Sequence, residues 1–143
     1  MDLEEKEKAL EALYSASTKA GLAGLEQFGD RFMPLIFVFG QDLKMHIIPL
    51  EKDKERVART VLAVCKACNA LGVIMIAEGW NVLREEIFLA TLESKSLNKM
   101  RVWKVKRDEQ GNRMFPLEEV SYEKTYLVGY GELVNNGLGV CSN

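Results

Sequence analysis

The chain carries a single histidine, three cysteines and three prolines in 143 residues. One histidine, His46, excludes a multi-histidine metal site, and any Ser-His-Asp or Cys-His arrangement must use it. An odd number of cysteines does not make a disulfide framework, and reduced thiols in a cytosolic protein are the simpler reading. Long hydrophobic runs are missing as well: Leu35 to Phe39 and Val73 to Ala77 are far too short to cross a bilayer. Neither sign of charge dominates. The net charge is −2, so no global field draws the chain to nucleic acid or membrane. The start, Met1-Asp2-Leu3-Glu4-Glu5, is acidic where a signal peptide is basic and then apolar. A cytoplasmic location with no membrane partner is expected.

What is present suits a folded domain: 48% apolar and 28% charged residues. Without repeat, linker or low-complexity tract, residues 1–143 read as one domain, with 1–20 as an N-terminal helix or arm and 32–134 as a sheet-and-helix core. Asp2 followed by Glu5 resembles a capping box. Leu3, Leu10, Leu13, Tyr14 and Ser17 then share a helical face, and Gly21, Gly24 and Gly29 predict a turn-rich link after it. Residues 32–39 read as a strand, Gly40-Gln41-Asp42 as a hairpin turn, and Leu43, Met45 and Ile47, alternating with Lys44 and His46, as a half-buried strand. Asp53 is placed to cap a helix whose face carries Val57, Val61, Val64, Cys65, Cys68 and Leu71, with Gly72 as its stop. Val73 to Ala77 is a continuous apolar strand, the pattern of one covered on both faces.

Strand, helix, strand over residues 43–77 fits a crossover unit. Val82, Leu83, Ile87, Phe88 and Leu92 fit a short helix, leaving 82–98 open between lid, helix and loop. Met100 to Val105, Arg113 to Val120 and Tyr122 to Val128 read as strands, with turns at Asp108 to Asn112 and Asn136-Gly137. The expected fold is α+β: a mixed, mostly antiparallel sheet, one crossover helix at about 53–71 and a charged N-terminal helix, with helices largely on one face.

Few motifs carry chemistry. Cys65-Lys-Ala-Cys68 has redox or zinc half-site spacing. It lies mid-helix, where two small buried residues are the simpler reading. Glu78 and Trp80 follow the apolar strand, where ligand crevices form, and a desolvated Glu78 is a candidate base with His46 as helper. A local salt link and a core edge are the plain alternatives. Glu78, Glu85, Glu86 and Glu93 offer oxygens for a hard cation but lack known spacing, so a solvated face is favoured and no metal or other cofactor is expected. Lys95, Lys99, Arg101, Lys104, Lys106 and Arg107 surround Trp103; such a run holds phosphates and stacks a base, or guards an edge strand. Gly129-Tyr130-Gly131 lacks the third glycine of a dinucleotide site and reads as a bulge.

The order Pro34-Leu35-Ile36-Phe37-Val38-Phe39, Ile47-Ile48-Pro49-Leu50, helix, then Gly72-Val73-Ile74-Met75-Ile76-Ala77-Glu78-Gly79-Trp80 resembles a group of small uncharacterised bacterial and phage proteins with an apolar strand, Pro-Leu, helix, apolar strand and Glu-x-Trp. The resemblance spans roughly residues 32–130. It implies the same layout and a phage or mobile-element origin, but no activity.

The favoured expectation is a non-catalytic binding or accessory protein, a homo-oligomer through strand edges and helical arm. It would sequester a small anionic, nucleotide-like ligand or block a host protein. Trp80, Glu78, Arg101, Trp103 and Lys104 are its candidate ligand-binding residues. The alternative is a small hydrolase or transferase using Glu78 with His46. A nucleic-acid-binding domain ranks third and is disfavoured by the overall charge.

Overall fold

The computed structural model describes residues 1–121 and 127–128. Helix α1, Leu3–Phe28, begins where Asp2 accepts a hydrogen bond from Glu5 N at 2.8 Å. Glu4 and Glu5 in its first turn complement the positive end of the helix dipole. Its buried stripe is Leu10, Tyr14, Thr18 and Leu25, while Leu3 is exposed.

The expected break at Gly21 and Gly24 does not occur. A Cβ at Gly21 would lie 2.6 Å from Ile76 Cγ2 and 3.2 Å from Phe88 Cζ. The missing side chain there lets α1 sit directly on the sheet. The helix stops at Gly29, where φ is +55°, and a single 3₁₀ turn, Gly29–Arg31, follows. Inside this contact Tyr14 donates its hydroxyl hydrogen to Ala90 O at 2.9 Å, and burial pushes its pKa up to about 12. The N-terminal segment is therefore a helix packed on the sheet, not a free arm.

The strands are β1 (Leu35–Phe39), β2 (Met45–Pro49), β3 (Gly72–Asn81), β4 (Glu86–Ser94), β5 (Asn98–Lys104), β6 (Glu118–Val120) and β7 (Leu127–Val128). They form one sheet in the order β2-β1-β3-β4-β5-β6, with β7 paired to the end of β3. Each pairing is antiparallel. The second helix, α2 (Lys54–Cys68), connects β2 to β3 across β1. Because β1 is antiparallel to both, β2 and β3 run the same way, as a crossover unit requires. The protein thus has the expected α+β arrangement.

Asp53 caps α2, accepting from Arg56 N at 3.1 Å, and Val57, Val61 and Cys65 are buried. The helix stop is Asn69, left-handed at φ +50°, and not Gly72. Gly72 instead opens β3, where a Cβ would lie 2.8 Å from Leu10 of α1.

Alternate residues of β3 explain its unbroken apolar run. Val73, Met75 and Ala77 pack with α2; Ile74 and Ile76 pack with α1. The helices therefore lie on opposite faces, correcting the expectation of one face. In the same way Ile87 and Leu89 face α2 while Phe88, Ala90 and Leu92 face α1, so residues expected to form a helix form β4.

Strand β2 differs in phase from expectation. Ile48 and Leu50 are buried, whereas Met45 and Ile47 are exposed at 51% and 54%. The segments 122–126, Gly129-Tyr130-Gly131, Asn136-Gly137 and Cys141 lie outside the described residues. Among the described residues no helix is long and apolar enough to cross a membrane.

Candidate functional site

Strand β3 continues to Asn81, so Glu78 and Trp80 belong to its end and not to a loop beyond it. The β3–β4 turn is built on Asn81, which is buried. Its Oδ1 accepts from Leu83 N at 3.0 Å and Glu85 N at 2.9 Å, and its Nδ2 donates to Glu85 Oε1 at 3.0 Å. Lys104 Nζ holds Glu85 Oε2 at 2.6 Å. A turn fixed this firmly presents its remaining side chains outward. Trp80 is 52% exposed and Leu83 71% exposed, and Arg84 sits at φ +60°. Trp80, Asn81, Val82 and Arg84 line a cavity of about 570 Å³ with a mainly apolar wall. An indole, an aliphatic side chain and a guanidinium around one space suit a flat ligand bearing negative charge.

Glu78 shares the α1 face, opposite Phe88 across the β3–β4 pair. Arg113, whose side chain is 9% exposed, donates from Nη2 to Glu78 Oε2 at 3.1 Å and from Nη1 to Asp30 Oδ1 at 3.4 Å. Arg107 grips Glu86 with Nε at 2.9 Å and Nη2 at 2.8 Å, and donates from Nη1 to Gly111 O at 2.7 Å. These contacts close the 107–113 hairpin over the sheet and the end of α1. Burial raises the Glu78 pKa above its ordinary value; the opposing pull of Arg113 is the weaker effect. The Arg113 Nε is buried without a hydrogen-bond partner among the described residues.

His46 pairs with Val38 and shares the α2 face of the sheet. Glu78 and His46 therefore lie on opposite faces, with β1 between their strands, so one pocket cannot hold both.

The basic run is also divided. Arg101 and Trp103 point to the α1 face and Lys104 to the α2 face. Trp103 is buried, 5.9 Å from the Phe88 ring centroid, with the Arg101 guanidinium 4.8 Å from its own centroid. Arg101 is bidentate on Glu119 at 2.7 and 3.0 Å. Lys99 meets Glu11 of α1 at 3.0 Å, and Lys106 meets Glu118 at 2.8 Å. The run thus ties β5 to its neighbours. Shallow grooves of about 580 and 470 Å³ flank Arg101, but their charged walls, Glu11, Lys99, Arg101 and Glu119, are already in ion pairs. Of the expected binding residues, Trp80 alone lines the cavity at the end of β3; Glu78 is its neighbour in the strand.

Cys65 and Cys68 lie at the end of α2, the first buried and the second partly exposed. Burial, with Cys65 beside it, pushes the Cys68 thiol pKa up, opposite to what a reactive thiol needs. Among the described residues no group of three or more His, Cys, Asp or Glu side chains is placed to hold a metal ion.

Sequence reasoning missed Arg84 and Arg113. Asn81 followed by Glu85 was the available signal for Arg84, because an Asn that caps its own turn fixes what the turn displays. Nothing local marks Arg113, whose hydrogen-bond partners are 35 and 83 residues away. Comparison with known proteins gives no match to any family model, curated protein or solved structure.

Proposed function

We propose that the protein is a non-catalytic binding protein that takes a small, flat, anionic ligand of nucleotide type at the end of β3. The observation that carries this reading is the half-exposed Trp80 sharing a cavity of about 570 Å³ with Arg84. The indole offers a stacking surface, Val82 an apolar wall and Arg84 a charge for phosphate. The reading moves the anion site from the basic strand to the hairpin. It is supported by the carboxylate partners of Lys99, Arg101, Lys104, Lys106 and Arg107, which an incoming phosphate would have to displace. A non-catalytic role is supported by the Arg113 contact that occupies Glu78. A cytoplasmic setting fits the free thiol of Cys68, and a phage or mobile-element origin fits the resemblance in residue order.

The test uses a Trp103→Phe background, in which Trp80 is the single indole. Adenine and guanine nucleotides are titrated against Trp80 emission and acrylamide quenching. Saturable shielding that Arg84→Glu abolishes is expected, together with a retained nucleotide mass in native mass spectrometry. Unchanged quenching at millimolar nucleotide would refute the reading.

A second reading rests on Leu83. With Trp80 and Val82 it extends the apolar surface beyond the cavity, as a site for a host protein would. Trp80 shielding by a partner protein that Leu83→Asp abolishes, with nucleotides inert, would select it.

A further inference from the structure

The sheet ends on one side at β2, and among the described residues no strand pairs with its outer side. The outward groups follow from the hairpin bonds. Gly40 donates to Lys44 O at 3.1 Å and Leu50 donates to Pro34 O at 3.2 Å. Hydrogen-bonded positions alternate along an antiparallel pair, so Lys44, His46, Ile48 and Leu50 turn their backbone toward β1. Met45, Ile47 and Pro49 turn theirs outward. Pro49 therefore stands where its missing N–H costs no ladder bond. The exposed side chains of Met45 and Ile47 project from the same three positions, on the α1 face but at the uncovered edge.

We propose that β2 is the interface between two copies of the chain, paired antiparallel about a two-fold axis through Ile47. The two sheets then continue as one. In this register Ile47 exchanges both backbone bonds with Ile47 of the second copy. Met45 N–H meets the carbonyl of Pro49, so the position without a donor is asked only to accept. The side chains bring Ile47 against Ile47 and Met45 against Pro49, apolar with apolar. Charge favours this alignment: continued past the ends of β2, the register brings the turn carrying Asp42, which also meets Lys44 at 3.9 Å, toward the bend at Lys52 of the other copy, twice. Shifting the centre to His46 would oppose two histidines and place Asp42 against Leu50. Edge pairing of five-residue strands buries an area at the low end of specific interfaces, below about 1,200 Å². A reversible dimer is therefore expected, sought by the isologous self-pairing that a two-fold axis permits.

Sedimentation equilibrium up to millimolar protein tests the proposal. A monomer–dimer equilibrium is expected, weakened about tenfold or more by Ile47→Lys, a change at an exposed position. Lys52→Glu should weaken it too, and adding Asp42→Asn should recover part of that loss, since the like-charge pair is removed while the turn keeps its acceptor. Ile47→Cys should form a disulfide-linked dimer under mild oxidation where the parent does not, since opposed residues there are about 5.5 Å apart at Cα. Far-ultraviolet circular dichroism checks that each variant is folded. A monomer at all concentrations overturns the proposal. So does a dimer indifferent to the charge pair and not cross-linked through position 47.

Discussion

Two glycines of α1, three residues apart, should respond unequally to the same substitution, with a gain at only one of them. Alanine in place of glycine inside a helix stabilises by about 1 kcal/mol, because it restricts the unfolded chain. At Gly24 the added methyl group meets the Phe32 ring at 3.7 and 3.8 Å, an ordinary contact. Gly24→Ala should therefore gain about 0.5–1 kcal/mol. At Gly21 the methyl group would be 2.6 Å from Ile76 Cγ2, more than 1 Å inside normal carbon contact, roughly 3.5–4.0 Å. Ile76 is a buried, branched side chain of a central strand and has little room to turn away. Overpacking costs about 1–3 kcal/mol, so Gly21→Ala should range from neutral to a loss of about 2 kcal/mol. Urea unfolding at constant slope reads the difference between the two variants, about 1–3 kcal/mol. In thermal melts each kcal/mol is worth about 3–4 °C in a chain of this size. If Gly21→Ala proved as stabilising as Gly24→Ala, α1 would not lie as close to β3 as described, and the reading of Gly21 as a contact residue would fall.

Other consequences follow from burial and charge. Glu78 has a folded pKa raised above its unfolded value near 4.5, so the native state holds its proton more tightly. Its contribution is complete below that value and is lost as pH rises through the raised folded pKa. Glu78→Gln should flatten that part of the stability–pH curve measured by urea unfolding; an unchanged curve would mean that burial does not govern this carboxyl. Trp103→Ala should cost about 3–5 kcal/mol, since it empties a buried site against Phe88. Trp80→Ala, at an exposed site, should change stability by less than about 1 kcal/mol; comparable losses for the two would contradict the assigned burial.

The sequence was most legible where one face of an element is apolar. Helix α2 follows from Val57, Val61 and Cys65, and β3 from an apolar run too short for a helix. Strand β4 was hidden because Ile87 to Leu92 is buried on both faces, leaving no period to separate strand from helix. In β2 the alternation of Leu43, Met45 and Ile47 was real but belongs to an edge, while Ile48 and Leu50 carry the core contact. Gly21 and Gly24 looked like breakers because a sequence does not show that the sheet comes within contact distance. The basic run looked like an anion site because its carboxylates, Glu11, Glu118 and Glu119 among them, come from other elements. Local pattern reports burial well, but ion pairing between distant segments leaves no local trace. Trp80 was found because it ends an apolar strand, whereas Arg84 was missed because its only signal was the Asn81 turn that displays it.

The hydrogen bond from Tyr14 to Ala90 spans 76 residues, which gives the order of synthesis a consequence. A ribosome adding about 5–20 residues per second needs about 4–15 s to make the carbonyl that Tyr14 requires. For most of that time the apolar stripe of α1 has no complete sheet to cover it. The helix is long enough, at 26 residues, and well enough capped by Asp2 to form alone, although isolated helices below about 12–15 residues do not persist in water. Its two interior glycines loosen it until β3 and β4 arrive. Helix α1 is thus made well before the sheet that satisfies it, and a nascent chain stalled before β4 would present that stripe to whatever chaperone waits at the tunnel exit.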